Sequence, residues 1–351
     1  MPEGTLAAAS TRSAYAALDR LWERGTRFLG SRYAILGGAM SWVSECRLVA
    51  AISEAGGFGV IACGSMGPEA LAAEIGGTQA LTRKPFGVNL ITMHPRLLDL
   101  VAVCREAGVG HVVLAGGVPQ ASAVRAVKDG GAKLVCFAPA LVLARRLIRQ
   151  GADALVIEGA EAGGHIGPVS LGVLAQEILP EVTEVPVFVA GGIGRGEAIL
   201  AYLEMGASGA QLGTRFAAAE ESVAHPRFKE AFVRAAARDA LPSPQLDARF
   251  PVIPVRGLAN AGTRRFLEHQ AETIRRFGAG EITREEARLA IEHFWAGALR
   301  RAVIEGDVEE GSVMAGQSVG MVTGVQPAAA IVAELVDQAA AALARRAPAG
   351  S

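Results

Sequence analysis

The chain has 351 residues, enough for one large barrel with an appendage or for two ordinary domains. Apolar residues make up 51% of it and aromatics only 5%, and 43 glycines suit a tightly packed α/β protein with short turns. The formal charge of −1, with no basic block, offers no long-range field to nucleic acid.

Residues 1–31 read as an N-terminal extension, with 1–13 expected to fray. They hold no compact apolar segment followed by a cleavage site, and no later run reaches transmembrane length free of glycine or charge. Cys46, Cys63, Cys104 and Cys136 are scattered without CxxC or metal spacing, as in a reduced protein. A cytoplasmic protein without membrane contact is expected.

From residue 33 onward, short apolar runs alternate with amphipathic stretches. The runs cover 33–36, 59–63, 86–90, 111–115, 134–138, 154–158, 185–190 and 209–212. Each is nearly continuous in apolar residues and often closed by Gly, Asn or Pro, as strands buried on both faces should be. Helical patterns fill 45–55, 68–80, 97–107, 121–129, 140–150, 171–179 and 195–205, and an apolar helix follows at 327–344. This order predicts a (β/α)8 TIM barrel. A doubly wound dinucleotide sheet needs a glycine fingerprint after its first strand, which Gly37-Gly38-Ala39-Met40 does not spell.

After Arg215-Phe216 the alternation stops. Residues 219–310 are more charged and read largely helical, with a proline-rich centre from Leu241-Pro242-Ser243-Pro244 to Pro251-Val252-Ile253-Pro254. We read them as a mostly helical subdomain inserted after the eighth strand, where it covers the catalytic face. The barrel then comprises 32–218 and 311–351, with 345–351 expected to fray.

Glycine motifs close the last two strands: Ala190-Gly191-Gly192-Ile193-Gly194 and Gly213-Thr214-Arg215-Phe216. In such barrels a phosphate commonly binds there on backbone N–H groups, and Thr214 adds a hydroxyl. Glycines that merely permit tight turns are the plainer explanation of each motif alone. Gly37-Gly38-Ala39-Met40-Ser41-Trp42 ends the first strand, where small residues admit a planar ring, although Met40 and especially Trp42 read equally as core. Asn89, in Gly87-Val88-Asn89, can donate to and accept from a heteroaromatic edge. Gly311-Ser312-Val313-Met314-Ala315-Gly316-Gln317 is a further glycine-spaced loop.

The sixth strand runs into Glu158-Gly159-Ala160-Glu161-Ala162-Gly163-Gly164-His165-Ile166-Gly167. A histidine just past a buried strand, between glycines and near two carboxylates, can give or take a proton at neutral pH. Phosphate site, ring-sized space and histidine at one barrel face describe a flavin mononucleotide site.

The chain resembles the FMN-dependent (β/α)8 family that contains nitronate monooxygenases, formerly 2-nitropropane dioxygenases, and enoyl-acyl-carrier-protein reductase II. The resemblance runs from about residue 33 to 344 and rests on six motifs in order. They are Gly38-Ala39-Met40-Ser41-Trp42, Lys84-Pro85-Phe86-Gly87-Val88-Asn89, Glu161-Ala162-Gly163-Gly164-His165, Ala190-Gly191-Gly192-Ile193, Gly213-Thr214-Arg215-Phe216 and Gly311-Ser312-Val313-Met314-Ala315-Gly316-Gln317. It implies that His165 is catalytic and faces the flavin. It also implies an FMN site drawn from Gly38, Ala39, Met40, Asn89, Glu158, Gly164, Gly191, Gly192, Gly213, Thr214, Met314, Gly316 and Gln317. Ala39 departs from the family's usual second glycine and tightens the ring's approach by one methyl.

Two reactions fit these residues. In the monooxygenase reading, which we adopt, an alkyl nitronate and O2 give a carbonyl compound and nitrite. In the alternative, NAD(P)H is co-substrate and an enoyl thioester, or a quinone, is reduced. Acyl-carrier protein is a partner only there, and its acidity calls for a basic patch such as Arg227, Lys229, Arg234 and Arg238, which Glu220, Glu221 and Glu230 offset. A homodimer is compatible with either. A non-catalytic flavin binder has no need of His165, and a nucleophile at Cys136 lacks an activating motif.

Overall fold

Runs such as Val112-Val113-Leu114 have no polar face to turn to water, so strands built from them need cover on both sides. The computed structural model, which describes residues 13–64, 66–247, 250 and 252–346, supplies that cover. The barrel strands are β1 (Ile35–Gly37), β2 (Val60–Ala62), β3 (Gly87–Ile91), β4 (His111–Ala115), β5 (Lys133–Phe137), β6 (Ala154–Glu158), β8 (Val187–Ala190) and β9 (Gly209–Leu212). A two-residue strand, β7 (Gly164–His165), lies between β6 and β8 in sequence and belongs to a different sheet.

The eight barrel strands are parallel, in the order β1-β9-β8-β6-β5-β4-β3-β2. A bridge between Leu36 and Phe58 joins the first and last, with Gly37 N–H donating to Phe58 O and Phe58 N–H to Ile35 O, both at 2.9 Å. The expected (β/α)8 barrel is therefore present. Ile157, Phe188 and Val189 are fully buried in it, each contributing roughly 1.5–3 kcal/mol of hydrophobic stabilisation. Outside lie the helices Cys46–Glu54, Pro68–Leu81, Leu97–Glu106, Ala121–Asp129, Leu141–Gln150, Leu171–Ile178, Gly196–Glu204 and Ala328–Arg346. The first starts cleanly because the Glu45 carboxylate accepts from Arg47 N–H and Leu48 N–H.

Residues 13–29 close the N-terminal mouth of the barrel with helical turns, the second being Glu23–Leu29. Leu18, Trp22 and Leu29 are buried, and a Cβ on Gly25 would lie 1.9 Å from Ser208 O, so only glycine allows this approach. The Phe28 carbonyl accepts hydrogen bonds from His111 Nε2 at 2.9 Å and from Lys133 Nζ. Burial pushes the His111 ring down to about 4, aided by the Lys133 charge and opposed by the Phe28 bond. The folded state therefore needs neutral His111, whereas the unfolded chain binds a proton below about pH 6.5. Stability from this group should be complete above that pH and fall by about 3 kcal/mol on descent to pH 4. Urea unfolding at several pH values checks this, because His111→Gln keeps a donor for Phe28 and should flatten the slope. An equally steep slope in that variant would place the acid sensitivity elsewhere.

The predicted ends at 1–12 and 347–351 lie outside the described residues, and Arg345 and Arg346 belong to the last helix. Residues 219–310 hold the helices Pro226–Arg234, Ala261–Gly278 and Arg284–Arg300, but also two strands that the sequence reading did not include. These are β10 (Ala240–Pro242) and β11 (Val255–Leu258). With β12 (Val313–Met314) and β7 they form a small antiparallel sheet, in which Val255 lies opposite His165 and Gly257 opposite Met314. Val255, Phe266, Ile291 and Trp295 form a second buried cluster between this sheet and its helices. No helix among the described residues is long and apolar enough to cross a membrane.

Candidate active site

The carboxyl ends of β8 and β9 leave backbone donors uncommitted. Among the described residues, the N–H groups of Gly191, Gly192, Gly213 and Thr214 take no hydrogen-bond partner. Gly191 (φ +98) and Gly192 (φ +70) are left-handed, and a Cβ on either would come within 2.9 Å of Gly159 O or 2.8 Å of Glu161 Cβ. Their glycine identity is thus required by the loop after β6, as well as by the turn. Gly213 differs, since a Cβ there would meet nothing nearer than Met40 Sδ at 3.4 Å. A methyl there would sit in ordinary van der Waals contact with Met40. Thr214 Oγ1 accepts from Gly316 N–H at 3.0 Å, leaving its own proton free to donate.

Arg215 turns inward instead. It is 4% exposed, donates to Gly194 O at 2.7 Å and pairs with Glu334 of the last helix at 2.7 Å. This cation holds the two glycine turns and the last helix together.

At the end of β1, Gly38 N–H donates to Leu212 O at 2.8 Å, so the first and last strand ends are joined at the site. Ser44 Oγ donates to Gly38 O and accepts from Met40 N–H, fixing a turn on which Ala39 and Met40 are half-buried. Trp42 packs against the barrel core, as its residue type suggests, with its indole nitrogen buried. It is half-buried at φ +66, the one non-glycine residue with positive φ among the described residues, and the Arg300 guanidinium lies 5.8 Å from its ring centroid. Such a conformation costs of order 1–3 kcal/mol and persists only where its surroundings hold it. Asn89 on β3 is buried between Ala62 and Val113 in the ladder, and its amide has no partner among the described residues.

The end of β6 and the loop after it carry two titratable groups, Glu158 and His165. Glu158 lies in the barrel mouth, where burial raises its carboxyl to about 7 against the opposing influence of His165. The following loop is locked by close contacts. Glu161 accepts from Leu171 N–H at 2.9 Å through its side chain and from Gln317 N–H at 2.9 Å through its carbonyl. A Cβ on Gly163 would lie 2.5 Å from Gly316 N, and one on Gly316 would lie 2.8 Å from Glu161 O. Gly316 and Gln317 therefore engage the histidine loop through their backbones. Gly164 is left-handed at φ +78 and faces Met314, whose Sδ lies 3.6 Å from its ideal Cβ.

His165 follows on β7, with a side chain 42% exposed. Its Nε2 lies 3.1 Å from the Glu292 carboxylate, on helix Arg284–Arg300. Neither Glu292 nor the Trp42–Arg300 contact was legible in the sequence. Glu292 sits in a charged helical stretch that reads as a solvated face, with no spacing that links it to residue 165.

Two other sequence candidates resolve plainly. Cys136 is buried, and burial pushes its thiol up to about 12, far from nucleophilic. Lys229, one member of the proposed basic patch, is buried with its ammonium donating to Ala219 O at 2.7 Å and Glu220 O at 3.2 Å, and Arg234 pairs with Glu230 at 3.3 Å. A cavity of about 130 Å³ lies between β10, β11, Ser312-Val313 and the Phe294-Trp295 region.

Comparison with known proteins places this geometry. The chain is 37% identical to FabK from Thermotoga maritima, with a TM-score of 0.82 over 92% of this chain and 97% of that one. It is 29% identical to a nitronate monooxygenase of Paraburkholderia phytofirmans over 88% of this chain and 92% of that protein. It is 34% identical to a (3aS,4S,5R,7aS)-5-hydroxy-7a-methyl-1-oxo-octahydro-1H-indene-4-carboxyl-CoA dehydrogenase of Mycobacterium tuberculosis over 60% of this chain. That match spans 59% of the relative's own length. The model of the nitronate monooxygenase family matches residues 23–109 and 98–338, nearly the whole described barrel and its covering segment. By that match the chain belongs to the nitronate monooxygenase family.

Proposed function

We propose that this chain is a cytoplasmic, FMN-dependent oxidoreductase that uses O2 to convert alkyl nitronates to a carbonyl compound and nitrite. The observation that carries the reading is His165 in the loop after β6, its Nε2 3.1 Å from the Glu292 carboxylate and its charge felt by Glu158, in a chain whose family match runs across the whole barrel. Residues 219–310 form the unit that covers the barrel mouth.

The residues present fit FMN. Four unpartnered backbone N–H groups at Gly191, Gly192, Gly213 and Thr214 suit a terminal phosphate. The unpartnered amide of buried Asn89 suits a heteroaromatic edge, with Gly38, Ala39 and Met40 along the ring. Glu158, Gly164, Met314, Gly316 and Gln317 complete the wall. The chemistry that FMN supplies when bound is acceptance of electrons from the substrate and their return to O2. His165 takes the α-proton from a neutral nitroalkane, or holds the negative nitro group of a preformed nitronate. Glu158, with its carboxyl near 7, can hold or release a proton beside it at working pH.

A second reading is NAD(P)H-dependent reduction of an enoyl thioester, favoured by the likeness to FabK and to the CoA-thioester dehydrogenase. Against it stands the weakening of the basic patch, since Lys229 is buried and Arg234 pairs with Glu230, although Arg227 and Arg238 stay exposed. The test is anaerobic mixing of the holoenzyme with NADH, NADPH or ethyl nitronate while flavin absorbance is followed. Bleaching by the nitronate alone is expected. Rapid bleaching by a nicotinamide and none by the nitronate would transfer the assignment to the reductase.

A further inference from the structure

We infer that Glu292, delivered by the covering segment, is a positioning residue for His165, holding the ring in place and balancing the positive charge it gains with a proton. The inference rests on the proton-transfer role proposed above. Its basis is a geometry that two separate parts of the fold maintain. β7 pairs with β11 so that His165 stands opposite Val255, and paired residues of an antiparallel ladder project to the same face. On that face Val255 packs against Ile291 and Trp295, which brings helix Arg284–Arg300 down onto the strand. Glu292 follows Ile291, and its Oε2 arrives 3.1 Å from His165 Nε2.

The helix is itself fixed at its start. Thr283 Oγ1 accepts from Glu286 N–H at 3.2 Å, while the Glu286 carboxylate accepts from Thr283 N–H at 2.8 Å. The other charges nearby are differently engaged. Arg256, next along β11, lies opposite Gly164 and turns its guanidinium to the carbonyls of Ala160 and Ala240. The carboxylate nearest His165 is thus supplied by a helix from a segment that follows the eighth barrel strand.

A contact between half-exposed groups is screened, so its effect should be smaller than that of losing the histidine. In Glu292→Gln and Glu292→Ala, kcat on neutral nitroethane should fall about ten- to a hundredfold, with KM and bound flavin little changed. Turnover of preformed ethyl nitronate should change less than about threefold, because no proton leaves carbon in that reaction. General misfolding of the cover would lower both rates together.

A second readout needs no turnover. In holoenzyme labelled at histidine nitrogen, the His165 Nε2 resonance at fixed pH should move in Glu292→Gln relative to the wild type, since Glu292 is the group 3.1 Å from that nitrogen. An unmoved Nε2 resonance together with an unchanged ratio of the two rates would overturn the inference. A wild-type enzyme inactive on every nitro compound would instead sink the proposed reaction, while the Nε2 resonance still decides the role of Glu292.

Discussion

His165→Ala and His165→Asn should retain FMN and lose turnover by roughly two to four orders of magnitude, the usual scale for removing a general acid or base. Retention is expected because the proposed phosphate and ring contacts come from β1, β3, β8 and β9, whereas His165 lies on β7 and is bonded to the cover. The loss should be larger with a neutral nitroalkane than with its nitronate, which arrives already deprotonated. Stopped-flow reduction of the flavin by each substrate separates proton transfer from later steps. Near-wild-type rates on both substrates in a flavin-replete variant would remove His165 from the mechanism.

Arg215→Met should be the most destabilising single change at the site that leaves the catalytic groups untouched. Its guanidinium is 4% exposed and bonded to Gly194 O and the Glu334 carboxylate, so removal strands an acceptor and a carboxylate at a packed junction. Breaking a buried pair by deleting one partner costs about 3–5 kcal/mol. The lower end is expected, since the Glu334 side chain is 34% exposed and can recover water. Urea unfolding of the apoprotein measures the loss directly. The junction also holds the turn carrying Gly213 and Thr214, so flavin affinity should weaken in parallel. Stability within about 1 kcal/mol of wild type would show that the pair is replaceable by packing.

The barrel was legible because strands buried on both faces leave a distinctive sequence trace. Ala154-Leu155-Val156-Ile157 could be placed to the residue, since nothing polar interrupts it until Glu158. Ends were less sharp. Tyr33 and Ala34 read as the start of the first strand, yet Tyr33 N–H donates to Gly56 O outside the ladder and its ring packs on Trp22. The covering sheet was hidden for a physical reason: its strands are two to four residues long and bracketed by Pro242, Pro244 and Pro254, too short for a period to emerge. Within the site, the glycines and His165 announced themselves through type and order. Glu292 did not, because its meaning depends on a strand pairing between distant segments. Arg215 was visible only as part of a glycine motif, and nothing in that motif reveals that its charge turns inward.

The closure of the N-terminal mouth has a consequence for how the chain assembles. The segment around Phe28 leaves the ribosome before the barrel strands, and these groups it docks against come later: His111 on β4, Lys133 on β5, Phe188 on β8 and Ser208 just before β9. Its own turns bury too little surface to stand alone in water. It must therefore wait, as a partly apolar strand of chain, while more than half of the polypeptide is made. Contacts of such long sequence separation are slow to form. The segment that seals the barrel is thus synthesised before any barrel strand yet is among the last to be immobilised, and the nascent barrel remains open at that end until β9 has emerged.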